Sequence, residues 1–74
     1  MKRDLAIRST VIDWPDSTLE ITDTAGAKYT VPLDKSIHVS MTGFPAKEEK
    51  TMLARELGDY MTQGYIIQHI SFEE

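Results

Sequence analysis

Residues 42–64, TGFPAKEEKTMLARELGDYMTQG, carry the helical pattern on which the fold prediction depends. Proline at position 45 suits a first helical turn, and Glu48 and Glu49 complement the positive end of the helix dipole. Gly64 is the residue type expected just after a last turn. The pattern therefore predicts one amphipathic helix between Pro45 and Gly64. On a helical projection its apolar residues share an arc of about 120°: Ala46, Leu53, Ala54, Leu57, Tyr60 and Met61.

On either side of this segment, apolar and polar residues alternate with a period of two, which is typical of strands. Proline and aspartate in residues 14–17, and Asp23 with Gly26 in residues 23–26, are typical of short turns. Pro32 cannot donate to a strand ladder, so the third strand should end at a sheet edge or leave the sheet there. The predicted strands are 5–12, 18–22, 27–33, 36–41 and 65–72.

The predicted order is β-β-β-β-α-β, which is typical of a two-layer α+β protein. We expect a small antiparallel sheet of four to five strands with the amphipathic helix packed on one face. At 74 residues the chain is short enough for one core, so residues 1–74 are expected to form a single domain.

Composition excludes several function classes. The chain has no cysteine, which excludes disulfides, thiol catalysis and cysteine-based zinc ribbons. No apolar run approaches the length needed to cross a bilayer, so no membrane association is expected. Residues 5–12 are interrupted by polar side chains and suit a strand better than a secretory signal. We therefore expect a cytoplasmic protein.

Catalytic chemistry finds little support in the sequence. His38 and His69 each lie on a predicted strand, and no spacing requires them to meet, so one or both are expected on the solvent face of a strand without a metal. No Gly-x-Ser-x-Gly motif accompanies the serines, and the four glycines are too scattered for a phosphate-binding loop. The sequence thus predicts neither catalytic residues nor a cofactor, and favours a protein that is not an enzyme.

Charge argues against nucleic acid as the main ligand. Eight Lys and Arg stand against twelve Asp and Glu, a formal net charge of −4. Phosphate neutralisation dominates the affinity of proteins for nucleic acid, so an acidic chain begins at a disadvantage. Lys2, Arg3 and Arg8 are the nearest approach to a basic cluster. A module that binds single-stranded nucleic acid remains an alternative, because small antiparallel sheets can stack bases.

A protein partner is the favoured hypothesis, because three large apolar residues occupy positions that suit a surface. Trp14 precedes a turn, Phe44 lies at the mouth of the predicted helix, and Met52 falls on that helix's polar side. Tryptophan and methionine are enriched in protein interfaces. The predicted partner-binding surface combines these apolar residues with an acidic rim of Asp13, Asp16, Glu48 and Asp59.

An acidic surface steers towards a basic partner. One form of the hypothesis is a small inhibitor or adaptor, of the kind phages and mobile elements encode, that acts on a nucleic-acid-handling protein. A second alternative is a homo-oligomer assembled through strand edges, since unblocked edges pair readily. In that case Pro32 would block one edge, whereas the amino-terminal strand carries no comparable block.

Overall fold

A computed structural model describes residues 1–43 and 46–74 as six strands and one short helix. A 3₁₀ turn at Ala54–Glu56 leads directly into the helix. No helix in these two ranges is long and apolar enough to cross a membrane. The elements are β1 (Lys2–Asp13), β2 (Thr18–Asp23), β3 (Lys28–Pro32), β4 (Ser36–Thr42), β5 (Lys47–Leu53), α1 (Leu57–Thr62) and β6 (Ile66–Glu73).

The strands form one antiparallel sheet in the order β3-β2-β1-β6-β4-β5. The long strand β1 joins its two halves. Residues 2–6 pair with β6, whereas residues 7–13 pair with β2, and the register shifts between Ile7 and Ser9. Such a bulge bends a strand and increases its local twist. One sheet therefore curls around a single core.

The core draws on both end strands of the sheet. Val31 of β3 and Met52 of β5 are buried in the same cluster as Ile70 of β6. Backbone bonds also connect these distant parts, because the Ala54 N–H donates to the Lys35 carbonyl at 2.9 Å. Burying apolar side chains from every strand against one another is the main stabilising contribution available to so short a chain.

The fold is α+β with a small antiparallel sheet, as predicted, but the sheet has six strands instead of four to five. The additional strand is β5, which occupies the first half of the predicted helix. It pairs with β4 over its whole length, from Thr42 opposite Lys47 to Ser36 opposite Leu53. Helix propensity is a weak preference that tertiary pairing overrides. Within the described ranges, helical structure is confined to the 3₁₀ turn and the six residues of α1.

Two predicted surface features change with this topology. Met52 was expected on the polar side of a helix, but it lies on β5 opposite Ile37 and is only 6% exposed, so its assignment to the surface is wrong. The amino-terminal strand was expected to offer an open edge, yet β1 lies between β2 and β6. The edge strands are β3, which ends at Pro32, and β5. The predicted interface residue Phe44 falls outside the described residues.

Candidate functional site

The turn between β1 and β2 presents the only tryptophan of the chain to solvent. Trp14 is 62% exposed. Its carbonyl accepts a hydrogen bond from the Ser17 N–H at 3.1 Å, and Oδ1 of Asp13 accepts one from the Asp16 N–H at 3.1 Å. Pro15 restricts φ at the second position of the turn. The large aromatic side chain therefore projects from a backbone that is held in place locally.

Helix α1 lies against the end of β1 that leads into this turn. A Cβ atom added at Gly58 would lie 3.0 Å from Cδ1 of Ile12, so helix and strand approach closely there. One turn later, the Thr10 hydroxyl lies 3.0 Å from the sulfur of Met61. These contacts place the first turn of α1, with the exposed Asp59, at the same end of the molecule as the β1–β2 turn.

We define the acidic tip as Asp13, Trp14, Asp16 and Asp59. Four of the seven residues predicted for a partner surface thus belong to two adjoining segments, the β1–β2 turn and the start of α1. Trp14, Asp16 and Asp59 are exposed, whereas Asp13 is half-buried and also holds the turn through its hydrogen bond. The tip combines an exposed aromatic ring with carboxylates and contains no basic residue of its own.

Glu48 lies apart from this tip. It lies on β5 opposite Met41, and it shares a face of the strand with the buried Met52. Unlike Met52, however, the Glu48 side chain is exposed. A hydrogen bond with Glu48 raises the pKa of Tyr65. Its neighbour two residues on, Lys50, donates to the Tyr60 hydroxyl at 3.2 Å. These contacts position Glu48 and Lys50 along the β5 edge above the two tyrosines.

A second polar surface lies on the outer side of the sheet, where both histidines are exposed. Nε2 of His38 lies 3.0 Å from Oε1 of Glu49, and this hydrogen bond lowers the pKa of Glu49. Nδ1 of His69 lies 2.8 Å from Oδ1 of Asp4. Each imidazole thus has a carboxylate partner that the sequence analysis did not identify.

The strand register makes this outer surface continuous. His69 lies opposite Ser40, and His38 lies opposite Ser71, so the two histidines are diagonal neighbours across β4 and β6. A hollow of about 280 Å³ opens between them. Among the described residues, no group of three or more His, Cys, Asp or Glu side chains is arranged to hold a metal ion. The hollow is lined by Lys2, Asp4, His38, Ser40, Glu49, His69 and Ser71.

Comparisons with protein-family models, with curated proteins and with solved structures give no match. Function is therefore argued from the chemistry of the chain's own surfaces. On the polar outer surface each histidine already has a carboxylate partner. The acidic tip instead presents an exposed tryptophan, the residue type that most often carries binding energy in protein interfaces.

Proposed function

We propose that this chain is a non-enzymatic protein-binding module whose contact surface is the acidic tip. The observation that supports the proposal is the 62% exposure of Trp14 on a turn held by its own hydrogen bonds. Tryptophan dominates the binding energy of many protein interfaces because its large surface is desolvated on contact. A locally fixed backbone also reduces the entropy that is lost when the surface binds.

The charge of the tip defines the partner's chemistry. Asp13 and Asp16 flank Trp14 on the turn, Asp59 lies on the adjoining helix, and the chain as a whole carries a net charge of −4. Opposite charge on a partner steers the encounter and increases the association rate. The partner we propose is a protein with a basic surface that includes an apolar cleft for Trp14. A nucleic-acid-handling protein fits this description, and binding at its basic groove would make the chain an inhibitor or adaptor.

The basic residues support a protein ligand over a nucleic acid. Of the three that form the nearest approach to a basic cluster, Arg3 is paired with Glu74 and lies over the Tyr29 ring, 5.5 Å from its centroid. This ion pair raises the pKa of Arg3 and occupies its guanidinium. Arg3 would have to exchange Glu74 for a phosphate before it could contribute to nucleic-acid binding.

Affinity capture with matched variants tests the proposal. Wild-type protein, Trp14→Ala and Val11→Ala are immobilised and exposed to the same cell lysate at low salt. Val11 is a suitable control because it is 57% exposed on β1, three residues before Trp14, and does not belong to the tip. We expect a discrete set of proteins to be retained by wild type and by Val11→Ala but lost with Trp14→Ala.

The charge contribution has its own measurement. Once a partner is captured, the variant Asp16→Asn/Asp59→Asn should bind it with a slower association rate and a weaker dependence on salt, because steering is electrostatic. Asp13 is left unchanged because its carboxylate holds the turn. Retention of the same proteins by all variants, or by none, would show that the acidic tip is not the contact surface.

A further inference from the structure

Among the strands that the structure describes, β5 lies at one end of the sheet, and no other strand pairs with its outer backbone edge. The Gly43 N–H donates to the Ala46 carbonyl at 3.0 Å, so Gly43 and Ala46 form a hydrogen-bonded pair of the β4–β5 ladder. This pair determines which of the following residues of β5 bond to β4 and which do not. In an antiparallel pair, every second residue directs its N–H and C=O to the neighbouring strand. Residues 48, 50 and 52 therefore bond to β4. The backbone groups of Lys47, Glu49 and Thr51 point away from the sheet.

This open edge has a defined end. The Leu53 N–H donates to Oε2 of Glu56 at 2.7 Å, so the carboxylate closes the ladder just after Thr51. The next two N–H groups, of Ala54 and Arg55, donate to the carbonyls of Lys35 and Leu33 at 2.9 Å. The accessible stretch is thus residues 47–51, and it contains no proline.

The other edge, on β3, offers less. The Asp23 N–H donates to the Ala27 carbonyl at 2.9 Å, so the alternation directs Lys28, Thr30 and Pro32 outward. Proline has no N–H, and the Pro32 carbonyl already accepts from Lys35 at 3.0 Å. Only Lys28 and Thr30 keep both the N–H and the C=O group available for a further strand. The β5 edge, with three such residues, is therefore the longer unpaired edge.

We infer that β5 is a self-association surface, on which a second copy of this chain pairs antiparallel through its own β5 about a twofold axis at Glu49. The surface is independent of the acidic tip. In this register Lys47 lies opposite Thr51 of the second copy, and Glu49 lies opposite its own counterpart. All three outward residues then form bonded pairs, with two backbone hydrogen bonds in each pair.

The side chains are compatible with this register. Glu48 lies opposite Lys50 of the second copy, and the twofold axis repeats this opposite-charge pair. A shift of the second copy by two residues in one direction places Lys50 opposite Lys50. The reverse shift places Glu48 opposite Glu48. Directly opposed like charges destabilise a sheet, whereas opposite charges stabilise it. The reverse shift, however, also places Lys47 opposite Glu49 of the second copy twice, so charge does not separate it from the register centred on Glu49. That register is distinguished by its backbone: it bonds all three outward residues, whereas the reverse shift pairs only Lys47 and Glu49 among them.

The present contacts of these side chains are compatible with the pairing. Lys50 uses one of its three donors on the Tyr60 hydroxyl at 3.2 Å. Glu48 has carboxylate lone pairs beyond its hydrogen bond with Tyr65. The unfavourable feature is Glu49 facing Glu49 on the outer side of the sheet. In each copy, His38 lies 3.0 Å from the Glu49 carboxylate and forms a hydrogen bond with it.

Sedimentation velocity of the full chain, from micromolar to millimolar concentration, tests the inference. We expect a reversible dimer. Glu48→Lys and Lys50→Glu should each raise the dissociation constant about tenfold, because both opposite-charge pairs become like-charge pairs. The double variant Glu48→Lys/Lys50→Glu should return it to the wild-type value. Glu49→Gln should tighten the dimer by removing the central repulsion.

Backbone variants provide the matched control. Thr51→Pro removes an outward N–H from β5 without removing a β4–β5 bond, so it should abolish dimerisation while the far-ultraviolet circular dichroism is retained. Thr30→Pro makes the same change on the β3 edge and should leave the dimer intact. A monomer at millimolar concentration, or a dimer that persists in Thr51→Pro, would overturn the inference. Failure of the double charge variant to restore a dimer that the single variants weaken would overturn the register.

Discussion

Replacing Met52 by alanine tests whether residues 47–53 form a strand. Met52 is 6% exposed and lies in the core opposite Ile37. Truncation of a buried methionine to alanine costs about 2–5 kcal/mol. Because β5 is an edge strand that can partly relax around the cavity, we expect the lower part of that range, about 2–3 kcal/mol. For a domain of this size the melting temperature should fall by about 10–20 °C.

Leu53 is the matched control for Met52. A strand over residues 47–53 buries Met52 and exposes Leu53, whereas the predicted helix would bury Leu53 and expose Met52. On β5, Leu53 lies opposite Ser36 and is 39% exposed, so Leu53→Ala should cost less than about 1 kcal/mol. On the helix that the sequence pattern predicted, Leu53 would be in the core and Met52 outside it. Urea unfolding followed by far-ultraviolet circular dichroism gives both values. A larger loss for Leu53→Ala than for Met52→Ala would refute the strand assignment.

Three further predictions concern other contacts. Gly43→Ala should destabilise the fold by about 1–3 kcal/mol in urea unfolding, because the Tyr65 ring occupies the space that a Cβ needs; unchanged stability would contradict that packing. In carboxyl NMR titration, Glu49 should show a lower pKa in wild type than in His38→Gln, because His38 stabilises the carboxylate. A folded-state pKa below the unfolded one means that this stabilisation is present above the unfolded pKa and lost as pH falls through the folded value. Relative to a free tryptophan amide, Trp14 fluorescence should be quenched more efficiently by caesium and less efficiently by iodide, because Asp13 and Asp16 lie beside it on the turn; a caesium-to-iodide quenching ratio equal to that of the free amide would contradict the acidic environment.

The amino-terminal half of the sheet was predictable because each strand shows its own alternation. Leu19 and Ile21 are fully buried on β2, whereas Glu20 and Thr22 between them are not. The turn residues around positions 14–17 and 23–26 lie where their chemistry predicts. The exposure of Trp14 followed from the same reasoning, since an aromatic residue beside a short polar turn has little core within reach.

Strand β5 was not predictable from its own residues. An edge strand with charged side chains on both faces lacks apolar alternation, and Met52 is its only buried residue. The helical pattern came mainly from residues 53–61, and all of these except Leu53, the last residue of β5, lie in the 3₁₀ turn and α1. Extending that period towards Pro45 placed Met52 on the wrong surface. Pairing with β4, a tertiary interaction, decides the local structure here.

The pairing of the histidines depends on strand order in the same way. Asp4 and His69 are 65 residues apart in sequence and meet only because β1 pairs with β6. Both histidines are exposed, in agreement with the expectation that one or both lie on the solvent face, but no local pattern identifies their carboxylate partners. The acidic tip had a local signal in the aspartates around Trp14, although the packing of α1 was needed to add Asp59.

Site-specific photocrosslinking tests the function of the acidic tip most directly. A photoreactive phenylalanine analogue is placed at position 14 in one variant and at position 11 in another, and both are irradiated in the presence of cell lysate. We predict a discrete crosslinked protein only from position 14, reduced by excess wild-type chain and not by excess Trp14→Ala. Equal adducts from position 11, or competition by Trp14→Ala as strong as by wild type, would contradict the assignment of the acidic tip as the binding surface.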